Sequence, residues 1–477
     1  MAGCGAINSI SPYAILGAMI SVGDKGRGRS RLGSWRLAAF ALPCVPVAAM
    51  LMPVVVYLPN YYATDLGVSL SAIGMAFGIV RLFDLWLDPT LGFLIDKTNT
   101  RFGRFKPWLV AGLPVAVLAV WMLFMARPGI DGSYILFWLI LGFLGQSMAS
   151  MAHVAWAAHI APEYGERTRV FGWWQAFTVL GILVVLAMPP LMKIGFGLDY
   201  AAGVRAMGWF VVLMLPATIV VALLAIREPV APANTNASNW RHYLALVRRP
   251  SVLRLLAADI LIGTGPVIAG TLFFFYFEAI RGWDRSEAGL LLLLYFLGAL
   301  LGAPLWTRLG REFSKHRALA IAAVAYAVAQ ASVLIAPPGL VWAIVTMTLA
   351  GVPYSAGPVL LRSMMADLGD EERLNSGVDR NGLLFGMLSG AVKIGSAFAV
   401  FASVATLEFL GFQADLAAGN DPLALTALAA VFALAPALLG LAGAALISGH
   451  KMDKAAHDAI RQQLDVRDAL ETSRATA

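Results

Sequence analysis

The sequence predicts an all-α membrane protein of twelve transmembrane helices, arranged as two six-helix halves. Three observations predict it. Hydrophobic residues make up 59% of the 477-residue chain and charged residues only 13%, with a mean hydropathy of +0.75. A soluble domain would carry about 25% charged residues. Apolar runs of roughly 20 residues, enough to cross a hydrocarbon core about 30 Å thick, recur twelve times. A polar stretch rich in Pro, Asn and Ala, from Arg227 to Pro250, divides them at the midpoint.

In chain order the first six spans fall at 37–62, 69–95, 107–126, 134–160, 170–192 and 205–226. The second six fall at 253–279, 286–307, 318–336, 340–365, 381–411 and 423–448. This sets an N-terminal bundle over 35–227, a linker over 228–252 and a C-terminal bundle over 253–448. Residues 1–34 are expected to form a cytoplasmic tail. Their apolar run from Ile7 to Val22 is too short to span and contains Pro12, and the basic residues follow it rather than precede it. Residues 449–477 read as a second cytoplasmic tail, helical or disordered in water. Lys and Arg gather in alternate loops: Lys97 to Lys106, Arg167 and Arg169, Arg241 to Arg249, Arg308 to Arg317, and Arg373 with Arg380. That bias puts both termini in the cytoplasm. The net charge of +7 is spread over these short loops, which argues against a nucleic-acid surface. The cysteines, Cys4 and Cys44, supply neither a disulfide framework nor metal-ligand spacing.

The halves echo each other. Gly92-x-x-x-Asp96-Lys97 follows the second span, and Gly302-x-x-x-Trp306-x-Arg308 follows the eighth. A six-plus-six repeat around a midplane cavity is the architecture of major facilitator transporters.

Charge inside such spans is rare and marks ion or substrate paths. Arg81, Asp84 and Asp88 sit at i, i+3 and i+7 of the second span, in one helical stripe. Two carboxylates one turn apart repel, so a proton or a bound cation is expected between them, and they titrate as a unit. Lys393 lies several turns into the eleventh span, too deep for easy snorkelling. An intramembrane lysine needs a carboxylate, so a contact between spans 2 and 11, across the halves, is the economical expectation. Tyr57 and Tyr354 can stack on a sugar ring or sit in interfacial belts. No Walker-type phosphate loop and no hydrolase constellation occurs, so neither ATP-driven transport nor an enzyme is expected.

R-x-x-D-x-x-x-D-P-x-x-G from Arg81, followed by T-R-x-G-R-F-K-P-W from Thr100, resembles the glycoside–pentoside–hexuronide:cation symporter family. Trp156, the run Pro162 to Arg169, Ala366-Asp367-x-x-Asp370 and Lys393-x-Gly395-Ser396-Ala397 extend the likeness across roughly Tyr61 to Phe401. The resemblance implies cation coupling at Asp84 and Asp88, with Lys393 and Arg81 beside them. It implies a sugar contact at Trp156. It also implies a cytoplasmic gate built from Asp96, Arg101, Arg104, Arg167, Asp367 and Arg373. Tyr57, Trp174, Tyr354 and Ser389 complete the candidate substrate contacts.

Departures from the family pattern narrow the substrate. Positions where relatives use sugar-binding aspartates are Ala49 and Ala152, and an arginine position falls at Trp174 or Phe177. The polar partners of the carboxylates appear as Leu87 and Ala149. Two carboxylates can hold a proton unaided, whereas a dehydrated sodium ion needs more oxygens, so protons are favoured over sodium at Asp84 and Asp88. The expected function is proton- or sodium-coupled symport of a sugar or glycoside by a monomer in a bacterial inner membrane, with no prosthetic group and no resident metal. The alternatives are a carrier of a lysolipid, cell-wall fragment or hydrophobic compound on the same fold, and a non-transporting membrane sensor.

Overall fold

The computed structural model describes residues 32–161, 163–197, 200–228, 246, 248–283, 285–413 and 419–476, nearly all of them helical. Most of the expected N-terminal tail and interdomain linker lie outside the described residues. The N-terminal half contains α1 (Ser34–Ala41), α2 (Cys44–Val56), α3 (Leu58–Thr64), α4 (Leu70–Lys97), α5 (Lys106–Phe124), α6 (Gly132–Ile160), α7 (Tyr164–Phe196) and α8 (Tyr200–Ala225). The C-terminal half contains α9 (Pro250–Arg281), α10 (Arg285–Glu312), α11 (Lys315–Ser332), α12 (Leu340–Tyr354), α13 (Ala356–Ser376), α14 (Asn381–Phe409) and α15 (Pro422–Ser448). It is followed by α16 (Lys454–Thr476).

Among the described residues, ten helical segments are long and apolar enough to cross a membrane. The second and ninth places are filled by α4 and α11. The first carries Arg81, Asp84, Asp88, Asp96 and Lys97, and the second opens on Lys315, His316 and Arg317. Proline breaks two expected spans. The first is divided into α1, α2 and α3, with Pro43 and Pro53 near the breaks, and the tenth into α12 and α13 just after Pro353. A proline lacks the N–H that the preceding turn needs, so the backbone bends there.

Packing repeats with an offset of six spans. First against fifth is α2 on α7 and α9 on α14; second against fourth is α4 on α6 and α10 on α12; third against sixth is α5 on α8 and α11 on α15. The halves meet along two seams, α4 with α14 and α7 with α10. Lipid supplies no hydrophobic drive between helices, so small residues and polar contacts must hold such seams. The α4–α14 seam meets that need at Gly92, where an added Cβ would collide with the carbonyl of Gly382. The apolar face of α4 points the other way, with Leu82 70% and Trp86 74% exposed.

The segment after Gly449 departs from a solvated tail. Helix α16 docks on α13 and α7, burying His457 and Leu464 completely.

Candidate functional site: a charged seam between the halves

Helical spacing builds the seam. Asp84, Asp88, Gly92 and Asp96 recur every four residues on one stripe of α4, and Gly382, Gly386 and Gly390 do so on α14. The two stripes run together. Asp96 accepts from the backbone N–H groups of Gly382 and Leu383 at 2.8 and 2.7 Å, at the N-terminus of α14 where free donors and the helix dipole favour a carboxylate. Gly386 lets α14 approach the Asp88–Pro89 backbone. Ser389 donates to Asp88 Oδ2. Lys393 Nζ then lies 2.6 Å from Asp84 Oδ1 and 2.7 Å from Asp88 Oδ2.

This places Asp84, Asp88 and Lys393 in one bridge across the halves. Both carboxylates are buried, while the lysine keeps 24% of its side chain exposed. One ammonium serves two acids, leaving a formal charge of −1. Asp88 Oδ1 is buried with no partner, an unmet acceptor that favours an added cation. Arg81 stands aside from the bridge. It is exposed, with its guanidinium 5.9 Å from the Phe143 ring centroid.

The face that carries the basic loops, called here the basic face, holds a denser network. Arg104 pairs with Asp96, reaches Asp379 at 3.2 Å and donates to the Ile95 carbonyl. His159 of α6 also pairs with Asp379. Burial alone would raise the Asp379 carboxyl, but His159 and Arg104 outweigh it and hold it well below the usual carboxylate range. Asp379 occupies a short loop between α13 and α14. Gly377 opens that loop by ending α13 at φ 76°, a left-handed conformation suited to glycine. Arg167 binds Asp367 at 3.1 Å and Asp370 at 2.8 Å. Buried Lys315 adds a 2.6 Å bond to Asp367, with its ammonium 3.6 Å from the Tyr164 ring centroid. Arg373 pairs with Asp468 of α16 at 2.8 Å, and His457 of α16 sits 3.1 Å from Asp370. The cross-half ties therefore concentrate at the basic face, and this conformation is the one closed there.

Of the expected gate residues, Asp96, Arg104, Arg167, Asp367 and Arg373 all join this network. Arg101 does not: it is exposed and packs on Phe102. Among the expected substrate contacts, Tyr57, Trp174 and Tyr354 are half-buried. Trp174 lies against His153, which reaches the Phe40 carbonyl. Trp156 has no exposed surface in this conformation; Phe40 packs on its edge and the Lys106 ammonium lies 5.5 Å from its ring centroid. Ser389 is engaged by Asp88 rather than held free for a substrate. Ala49 and Ala152 are wholly buried. Among the described residues there is no cluster of three or more His, Cys, Asp or Glu placed to hold a metal ion.

Sequence reasoning passed over Asp379, Lys315, His457 and Glu372, and also Glu228, which accepts from the N–H groups of Phe105 and Lys106 at the start of α5. Glu372 is buried between Arg380 and Arg249. For His457 a signal existed: His457, Ile460 and Leu464 recur at helical spacing within the charged tail.

A family model described as MFS/sugar transport protein matches residues 39–454. The chain belongs to that family. It is a multi-pass membrane transporter rather than an enzyme. It is 24% identical over 426 residues to the Escherichia coli protein named glycoside/cation symporter YagG, covering 86% of this chain and 90% of that one. It is 24% identical over 373 residues to a sodium-dependent lysophosphatidylcholine symporter of Danio rerio, covering 70% and 71%. A crystal structure of the Escherichia coli fucose:proton symporter FucP has the same fold, with a TM-score of 0.61 at 17% identity over 89% of this chain and 100% of that one.

Proposed function

We propose that the chain is a cation-coupled symporter of a sugar or glycoside that works by alternating access, with protons as the coupling ion. The Lys393 bridge carries this reading: a part-exposed ammonium of the C-terminal half shared by two buried acids of the N-terminal half. A proton added to Asp88 removes one of the two attractions that hold Lys393. Neutralising the pair weakens the seam, so α4 and α14 can part, and the ties at the basic face reform in the opposite sense as the halves rock. The coupling rule is that the loaded carrier, with both ion and substrate, and the empty carrier can rock. The names of the glycoside and fucose relatives support the substrate class. The basic-loop bias supports a cytoplasmic basic face; a bacterial inner membrane and a monomeric carrier belong to the same proposal.

Proteoliposomes test the reading. Glycoside uptake is expected under an imposed pH gradient at fixed sodium. Strict dependence on sodium with no response to pH would replace the proton by sodium. A second reading, a lysolipid carrier, is favoured by apolar Ala49 and Ala152 and by the lysophosphatidylcholine relative. Uptake of lysolipids with no glycoside uptake would select it.

A further inference from the structure

His159, near the end of α6, is a titratable group that the coupling scheme above does not use. Its two ring nitrogens face two different oxygens. Nδ1 lies 2.8 Å from the Ala155 carbonyl one turn back, and Nε2 pairs with Oδ2 of Asp379, in the loop between α13 and α14. A backbone carbonyl only accepts, so Nδ1 must donate. Asp379 also accepts from every other neighbour the geometry gives it. Its Oδ2 takes a bond from Arg104 at 3.2 Å, and its Oδ1 takes the backbone N–H and the amide of Asn381 at 3.1 and 2.9 Å. With donors on both oxygens that carboxyl stays ionised, so Nε2 must donate too. An imidazole that donates from both nitrogens is an imidazolium. The other charged groups nearby are already engaged. Arg104, from the loop between α4 and α5, shares Asp379 and also pairs with Asp96 of α4. On α5 the Lys106 ammonium turns to Trp156, and on α7 Glu166 pairs with Arg169.

This charged bond joins the halves, because α6 belongs to the N-terminal half and Asp379 to the C-terminal half. It can exist only while the basic face is closed. We infer that His159 is a second proton-binding site of the carrier, filled when the basic face is closed and emptied into the solution at that face when it opens. A neutral ring would set a lone pair against an acceptor and lose one charge-assisted bond. Once the halves part, Asp379 no longer holds the proton, and the 17% of the side chain already exposed gives it a way out. The proton enters and leaves from the same side, so it is not carried across and adds nothing to the coupling stoichiometry. It makes opening depend on the pH at the basic face: acid there fills the site and holds the face shut, and alkali releases it. A carrier that brings protons in with its substrate is then slowed by the acid it delivers. This rests on the alternating-access reading above and is independent of which ion Asp84 and Asp88 take.

The test reads the gate and the proton separately, in the full chain. For the gate, the labelling rate of a cysteine placed at the basic face is measured relative to the same chain unfolded at each pH. An Asp88→Asn background takes the titration of that coupling acid out of the comparison. The range, from about pH 6.5 to 8.5, covers the upper part of histidine titration. It also lies above the value of about 4 to which burial pushes His450. With His159 present, labelling should rise about 10-fold across the range, the scale of one charge-assisted hydrogen bond. It should be fast and flat in His159→Gln, and slow and flat in His159→Arg, which offers Asp379 a charge at every pH. A second cysteine at the opposite face should label in the opposite sense. For the proton, the 15N-histidine signal that disappears in His159→Arg should titrate at lower pH in Asp379→Asn than in wild type. The same pH profile with and without His159, or a titration that Asp379→Asn leaves in place, would overturn the site alone. Both cysteines rising together with pH would overturn the alternating-access reading and the site with it. Should His159→Gln not fold, the His159→Arg profile and the 15N titration decide.

Discussion

The bridge at Lys393 and the network at the basic face both tie the halves together with charge, but they are built on opposite plans. At the basic face three acids each hold at least two basic partners. Asp379 holds Arg104 and His159, Asp367 holds Arg167 and Lys315, and Glu372 holds Arg380 and Arg249. Removing one contact leaves others. At the bridge a single lysine serves two carboxylates, and one oxygen of Asp88 goes unmet. The difference teaches which region responds to a cation: the over-connected network sets the resting conformation, and the under-connected bridge is the part that one added charge can change.

Lys393→Ala should break this contrast most severely. It leaves two buried carboxylates without their shared counter-ion, at a cost of about 3 kcal/mol or more. The expected result is a large fall in melting temperature, partly restored by adding Asp84→Asn. Asp379→Asn should cost less, about 1–2 kcal/mol, because Asp96 still holds both Arg104 and the start of α14. Its effect should appear as easier labelling of a cysteine placed at the basic face. Unchanged labelling would show that the network does not set the conformation.

Acid sharpens the comparison further. The negative charge of Asp379 contributes stability above its ordinary pKa of 3.8, and that contribution is lost only when the pH falls well below this value. Mild acid therefore leaves the Asp379 ties intact. His450, in the loop before α16, behaves differently. Burial first, then His316, Arg254 and Lys315, push it down from 6.5 to about 4 against the pull of Asp367. A depressed histidine is folded in its neutral form, so its contribution is complete above pH 6.5 and is lost as the pH falls towards 4. The docking of α16 should loosen over that window, seen as faster proteolysis of the C-terminal helix, and His450→Gln should flatten the dependence. The smallest effect is expected at Arg101. Arg101→Ala should change stability and transport little, within about 0.5 kcal/mol, as for a surface side chain outside the network.

Much of the bridge was legible in the sequence because charge inside an apolar helix is conspicuous. Arg81, Asp84 and Asp88 are the charges of one apolar run and Lys393 is the deep charge of another, and the need of a deep lysine for an acid pointed to the contact between spans 2 and 11. The same helical spacing also grouped Arg81 with the acids. Spacing fixes a face, however, and not the direction a long side chain takes, so its turn towards Phe143 was invisible. The basic-face residues were legible only in part. Arg104 and Arg167 belong to recognisable runs, whereas Asp379 lies in a short loop whose role depends on two helices far away in sequence. His457 and Leu464 share a helical face of the charged tail, but the helices that this face docks on are distant in sequence. The glycine echo misled slightly. Gly92 packs across the halves, but its counterpart Gly302 packs on Val352 within one half, where Trp306 donates to the same carbonyl.

The most direct measurement is accumulation of a bound glycoside by proteoliposomes under a pH gradient, with wild type beside Asp88→Asn. The account predicts uphill accumulation by wild type only, with the variant still equilibrating the glycoside down its own gradient. Full proton-driven accumulation by Asp88→Asn would contradict it.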